Sequence, residues 1–178
     1  MHFLRGPFLM RASLLLLLAI AAPAAAPARA DDMMVTLKPE QIGQIFCLSR
    51  TGNDEGPIAG LLSPTLASAI ATARERNAAW ESANPGEKPP LGDGVPWQSW
   101  PDYAPLCAVG LVTLMQSDAK VEITYAFPDQ PEADFTDTLL LKRVQMPAHG
   151  TGLWRLDNIA FGTGGDLVDT LTGVFDEM

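Results

Sequence analysis

The hydrophobic pattern changes period along the chain. From residue 36 the apolar positions fall at helical spacing, with Ile42, Ile45 and Phe46 on one face at i, i+3 and i+4. This predicts a helix from Thr36 to about Arg50, with Thr36 as N-cap, Pro39 in the first turn and Glu40 at the positive end of the dipole. Residues 51–60, with their glycines, proline and acids, read as a loop. A second helix opens at Ser63 as N-cap with Pro64 at N1, carries Leu66, Ile70, Ala73, Asn77 and Trp80 at helical spacing, and stops at Asn84-Pro85-Gly86. Arg74-Glu75-Arg76 is its solvated face.

After residue 106 the period falls to two. Cys107 to Met115 is an apolar run suited to a buried strand, and Gln116 to Ala119 a turn. Val121, Ile123, Tyr125 and Phe127 alternate with Glu122 and Thr124, which predicts a half-buried strand. An acidic connection, Pro128 to Asp134, leads to a third strand (Thr136 to Val144) and a fourth (Leu153 to Phe161), with Gly150-Thr151-Gly152 turning between them. Asp166 caps a short last helix with Leu167, Val168, Leu171, Val174 and Phe175 on one side. Helices precede the strands instead of alternating with them, so the expected class is α+β with a four-stranded antiparallel meander.

Between the two patterned halves lies a stretch that fits neither. Residues 85–105 hold six prolines, too many for a regular strand or helix. The same stretch carries Trp97, Trp100 and Tyr103, and large aromatics in number are foreign to a flexible linker. The expectation is an ordered, proline-stiffened loop that lays its aromatics over the core, as a lid that closes the open end of the sheet or, because Trp and Tyr are enriched at binding hot spots and in concave sites, as a ligand or partner contact; the two overlap, since lids often border pockets.

The first thirty residues read as an address. Arg5 and Arg11 form a basic start, Leu14 to Ala22 an apolar core, and Ala28-Arg29-Ala30 an A-x-A cleavage site. Pro23 and Pro27 interrupt the apolar run short of the about 20 residues a span needs. Residues 1–30 are therefore expected to be a cleaved signal peptide and residues 31–178 a single α+β domain with no membrane span, located in the periplasm. Cleavage removes three arginines and no acid from a chain with 12 basic and 21 acidic residues, so 9 − 21 leaves the mature charge at −12. That balance excludes a nucleic-acid binder and a protein that docks on anionic lipid. It suits a basic partner drawn in by electrostatic steering.

Two cysteines in an exported chain pair, so Cys47 and Cys107 are expected to form a disulfide. Closing a loop of that length contributes roughly 4 kcal/mol in the chain-entropy model.

The inventory narrows the chemistry. His149 is the single histidine after residue 30, set in a turn-like segment, so a Ser-His-Asp triad and a zinc site both lack material. No G-x-x-x-x-G-K-[ST] phosphate loop occurs, Gly162-Thr163-Gly164-Gly165 reads as a flexible turn, and Asn53-Asp54-Glu55 lacks the spacing of a calcium loop. No catalytic residue, metal or cofactor is assigned.

The order of elements resembles the nuclear-transport-factor-2-like, or cystatin-like cone, fold, and more narrowly exported bacterial domains of unknown function with that fold. The resemblance rests on Leu62-Ser63-Pro64-Thr65-Leu66 at the start of the second helix, the Gly92-Asp93-Gly94-Val95-Pro96-Trp97 loop, and the closing Gly152-Leu153-Trp154-Arg155-Leu156-Asp157-Asn158-Ile159 strand. It implies N-terminal helices packed on a curved four-stranded antiparallel sheet with a short C-terminal helix. The fold hosts enzymes, binding modules and assembly parts alike. Its isomerase-like enzymes use a carboxylate and a tyrosine inside an apolar cone, for which Asp102, Asp157, Tyr103 and Tyr125 are the available groups. The expected function is a non-catalytic binding or interaction protein, its partner an envelope protein or a small apolar ligand held between sheet and helices. Trp97, Trp100, Tyr103 and Tyr125 are the expected pocket or partner contacts. The alternative is a small isomerase-, dehydratase- or hydrolase-like enzyme using a buried carboxylate.

Overall fold

A computed structural model describes residues 36–92, 94–145 and 152–176. The expected signal peptide, His149 and the Gly150-Thr151 half of the last turn lie outside the described residues.

Helix α1 runs Pro39–Thr51. It starts three residues later than the pattern predicts, because Thr36 is not its cap. Lys38 holds the N-cap position, and its amide donates to the Gln41 side chain at 2.9 Å. The buried stripe begins at Ile42 and Phe46 and continues through Arg50. At Gly43 the helix comes down on the sheet: a Cβ there would sit 2.8 Å from Val121 Cγ1 and 3.1 Å from Val109 Cγ2. Only glycine permits that approach. The chain leaves α1 through Asn53 at a φ of 48°, a left-handed position that asparagine tolerates.

The expected loop at 51–60 contains a one-turn helix, α2 (Gly56–Ala59), that buries Ile58. Helix α3 (Pro64–Ala83) follows the prediction closely: the Ser63 hydroxyl accepts the Leu66 amide at 3.0 Å, and Asn84 caps the other end. Its buried positions are Leu66, Ile70 and Ala73.

Four strands form one open sheet in the order β1-β2-β3-β4, every pair antiparallel: β1 (Leu106–Leu114), β2 (Asp118–Ala126), β3 (Phe135–Gln145) and β4 (Gly152–Ala160). The turn before β2 is tighter than expected, since Asp118 and Ala119 already pair with Lys142 and Leu141. Period-two burial in β2 places Ala119, Val121, Ile123 and Tyr125 in the core. Leu139 and Leu141 of β3 and Leu156 and Ile159 of β4 join them. Each such fully buried aliphatic side chain contributes about 1.5–3 kcal/mol over leaving it in water.

β1 departs from expectation. It is an edge strand, and Leu106, Leu111 and Leu114 are exposed on it. Only Val109 and Val112, on either side of a bulge, and Cys107 pack against the core. A continuous apolar run cannot by itself distinguish a strand buried on both faces from one that is not.

A turn of 3-10 helix (Pro131–Ala133) joins β2 to β3. At β4, Asp157 is the extra residue of a bulge, because Leu140 pairs with Asn158 while Leu141 pairs with Leu156. Leu61 and Ser63 bond to Leu156 along the free side of β4. Helix α4 (Leu167–Gly173) is capped by Asp166, which accepts the Asp169 amide at 2.9 Å, and it buries Leu167 and Leu171. The architecture is α+β with a four-stranded antiparallel sheet. Among the described residues no helix is long and apolar enough to cross a membrane.

Candidate functional site

The proline-rich stretch is ordered, and three kinds of anchor hold it. Cys47 of α1 and Cys107 of β1 form a disulfide with Cα atoms 5.3 Å apart, which fixes its end. The Leu91 amide donates to Asn77 Oδ1 of α3 at 2.9 Å. The Ser99 amide donates to Asp137 Oδ2 of β3 at 2.9 Å. Within the stretch, Gln98 Nε2 donates to the carbonyls of Trp100 (2.9 Å) and Asp102 (2.7 Å), folding residues 98–102 around one amide side chain.

These anchors shape a cleft of about 530 Å³, in the range of small-molecule sites. Leu91, Pro96, Trp97, Trp100 and Tyr103 supply much of its apolar surface, and Arg50, Lys88 and Gln98 its polar one. Trp97 is buried, whereas Trp100 and Tyr103 are 44% and 53% exposed. Three of the four aromatics singled out in the sequence thus meet at one cleft. The fourth, Tyr125, does not. It is buried in the core, its ring stacked on Phe135 at 4.5 Å, and it is not among the residues lining the cleft.

Three polar residues that pattern reading passes over organise this region. Arg50 is 5% exposed. Its Nε points to Gln98 Oε1 at 3.5 Å and its guanidinium lies 5.0 Å from the Tyr103 ring centroid. No carboxylate of the described residues forms an ion pair with it. Gln98 joins Arg50 to the loop. Asp137, 1% exposed, accepts the Ser99 amide through Oδ2 and the Gly162 amide through Oδ1, both at 2.9 Å. Two of the three left a trace in the sequence. Arg50 continues the Ile42, Phe46 stripe at i+8, and Asp137 is in phase with Leu139 and Leu141 on β3.

The buried groups set the electrostatics. Burial, then the nearby Asp137 charge, pushes the Tyr125 hydroxyl far above the ordinary tyrosine range, with Arg50 pulling weakly the other way. That hydroxyl has no hydrogen-bond partner. The Trp97 indole nitrogen and the Ser99 hydroxyl are likewise buried without partners. Asp137 is a buried carboxylate of the kind the alternative, catalytic reading requires. Its oxygens are each engaged by a backbone amide, and it does not line the cleft.

Neither of the two other carboxylates considered from sequence lines the cleft. Asp157 pairs with Lys142 at 2.7 Å on the sheet, which raises the lysine's pKa. Asp102 contributes its backbone carbonyl to Gln98. Among the described residues no group of three His, Cys, Asp or Glu side chains is placed to hold a metal ion.

Comparison with protein-family models, with curated proteins and with solved structures gives no match. Fold and site define the class: an α+β protein with a four-stranded antiparallel meander and an aromatic-walled cleft tied to it by a disulfide.

Proposed function

We propose that this chain is an exported, non-catalytic binding protein that holds a small ligand in the cleft between α1 and the proline-rich stretch. One observation carries the reading. Trp100 and Tyr103 stand half-exposed on a segment that is otherwise anchored by a disulfide, by Asn77 and by Asp137. Their half-exposed faces leave apolar area in water at a concave surface, and in the free protein only Tyr103 has a use there, against the Arg50 guanidinium, so the rest of that area supports contact with a ligand. The disulfide supports an oxidising, exported setting. Two helices ahead of a four-stranded meander support a likeness to the nuclear-transport-factor-2-like fold.

The test is a nuclear magnetic resonance titration of the purified, disulfide-bonded protein with a set of small aromatic compounds. The expected result is shifts clustered on residues 88–103 and on the Trp97 and Trp100 indole N–H groups, with Trp100→Ala weakening binding at least about fivefold. Shifts scattered over the surface, or none at millimolar compound, overturn the reading.

A second reading, an envelope protein partner, draws on Leu106, Leu111, Leu114 and Met115, which are exposed along and just after the edge strand β1. It predicts that Leu111→Lys and Leu114→Lys abolish partner binding while leaving ligand shifts in the cleft unchanged.

A further inference from the structure

We propose that the cleft is an oxyanion site: it takes a small molecule with a ring-bearing apolar body and one carboxylate or phosphate group, and Arg50 receives that group. The inference rests on the reading of the cleft as a ligand site and adds the chemistry of the ligand.

A guanidinium carries five N–H donors and keeps its charge at any working pH. Taking such a group out of water is expensive unless a counter-charge and hydrogen bonds replace the water. Arg50 is about 95% buried, since 5% of it is exposed, yet it has neither replacement in full. Its one hydrogen bond, to Gln98 Oε1, is long at 3.5 Å and goes to a neutral amide. Its terminal nitrogens donate to no acceptor among the described residues and are not among the sealed, unpartnered atoms, so water in the cleft is what they meet. The Tyr103 ring covers one face of the guanidinium at 5.0 Å, which stabilises a cation but accepts none of its N–H groups.

Two features offset part of the charge. Arg50 lies in the last turn of α1, where the helix dipole favours a cation. The charges of Asp137 and Arg50 both act on the Tyr125 hydroxyl, with opposite sign, so the two sit in one neighbourhood. Asp137 makes no ion pair with Arg50, however, and its oxygens hold the Ser99 and Gly162 amides.

The donors left over face a cleft whose other walls are Leu91, Pro96, Trp97, Trp100 and Tyr103. Lys88 also lines the cleft and adds a second cationic side chain to its wall. A fork of guanidinium donors matches the two oxygens of a carboxylate or phosphate, and flat aromatic walls match a ring. The chain as a whole carries −9, so it repels anions at long range and the selectivity arises at contact.

The test uses three probes that share one ring system: 2-naphthoate, its neutral amide and 2-naphthyl phosphate, titrated calorimetrically into the purified oxidised protein. The expected result is at least a tenfold preference for naphthoate over the amide, reduced to about onefold in Arg50→Gln with amide affinity kept. Whether phosphate or carboxylate binds tighter separates the two possible headgroups. Equal binding of naphthoate and amide overturns the oxyanion assignment and leaves the cleft a ligand site. Failure of all three probes to bind at 5 mM overturns both. A preference that persists in Arg50→Gln places the anion elsewhere and overturns the proposal. Should that variant not fold, the Arg50 Nε–H resonance of the unaltered protein serves instead: it shifts with naphthoate and stays still with the amide, and a silent resonance overturns the assignment.

Discussion

Asp137 Oδ2 accepts the backbone amide of Ser99 at 2.9 Å, joining the third strand to the middle of the proline-rich stretch across 38 residues of sequence. The other oxygen of the same carboxylate takes the Gly162 amide just beyond β4. One buried side chain therefore fixes two loops at once. Asp137→Ala leaves both amides without this acceptor in a buried setting, and each such loss costs about 1–3 kcal/mol. The expected destabilisation is about 2–5 kcal/mol, measured by urea denaturation. Asp137→Asn restores little, because its amide nitrogen faces a donor. A loss below about 1 kcal/mol in the alanine variant would show that the loops hold without this carboxylate.

Tyr125 makes the opposite case. Its hydroxyl is buried with no partner, so Tyr125→Phe removes a polar group that nothing satisfies. The substitution is expected to leave stability at neutral pH unchanged or raise it by up to about 1 kcal/mol.

The same residue dictates an alkaline limit. Burial and the Asp137 charge hold the Tyr125 hydroxyl protonated in the folded protein well above its ordinary value of 10.0. Above pH 10 the unfolded chain releases that proton and the folded one keeps it, so the unfolded state binds fewer protons and stability falls as pH rises. Below pH 10 the contribution is fully present. Denaturation midpoints between pH 9 and 11.5 should decline in the parent protein and decline less steeply in Tyr125→Phe. Parallel curves would remove Tyr125 from the account.

Cys47→Ala with Cys107→Ala should cost about 4 kcal/mol, the closure entropy for two residues 60 apart. Intact-mass analysis after alkylation of the unreduced parent should find no free thiol, and two alkylated cysteines would contradict the bridge.

Gly162→Ala tests close packing. A Cβ at that position would collide with the Thr136 carbonyl oxygen, a backbone atom that cannot rotate away. The backbone has to shift, which also lengthens the Gly162 amide bond to Asp137. A loss of about 2–4 kcal/mol is expected in thermal or urea unfolding, set against a near-neutral Gly60→Ala, where the space is open.

Much of the fold is legible in the sequence because local rules and tertiary structure agree. Ser63-Pro64 and Asp166 cap helices as their types dictate, and the Val121, Ile123, Tyr125 alternation faces the core. Thr36 is a good capping residue by type, but the helix begins where Pro39 fixes φ and Gln41 takes the Lys38 amide. β1 misleads because hydrophobicity reports what a strand is made of, and only the strand order puts it at an edge. The site is legible in half. Trp97, Trp100 and Tyr103 stand out by size in a segment with no regular structure. Arg50, Gln98 and Asp137 are polar residues whose importance comes from burial, and burial depends on partners 25 to 48 residues away. The local trace of Arg50 and Asp137 is a polar residue in step with an apolar stripe, and Gln98 has no such stripe to follow.

Among the described residues, all fourteen that line the cleft, from Arg50 to Tyr103, fall between Cys47 and Cys107. The disulfide thus turns the whole site into one covalent ring. Cutting any single peptide bond inside that ring, in the Asn84 to Glu87 turn for example, opens the chain without releasing a fragment: floor and wall stay attached through the sulfur bridge. An oxidised protein nicked there keeps both halves of its cleft at intramolecular concentration, and a reductant then separates what the protease did not.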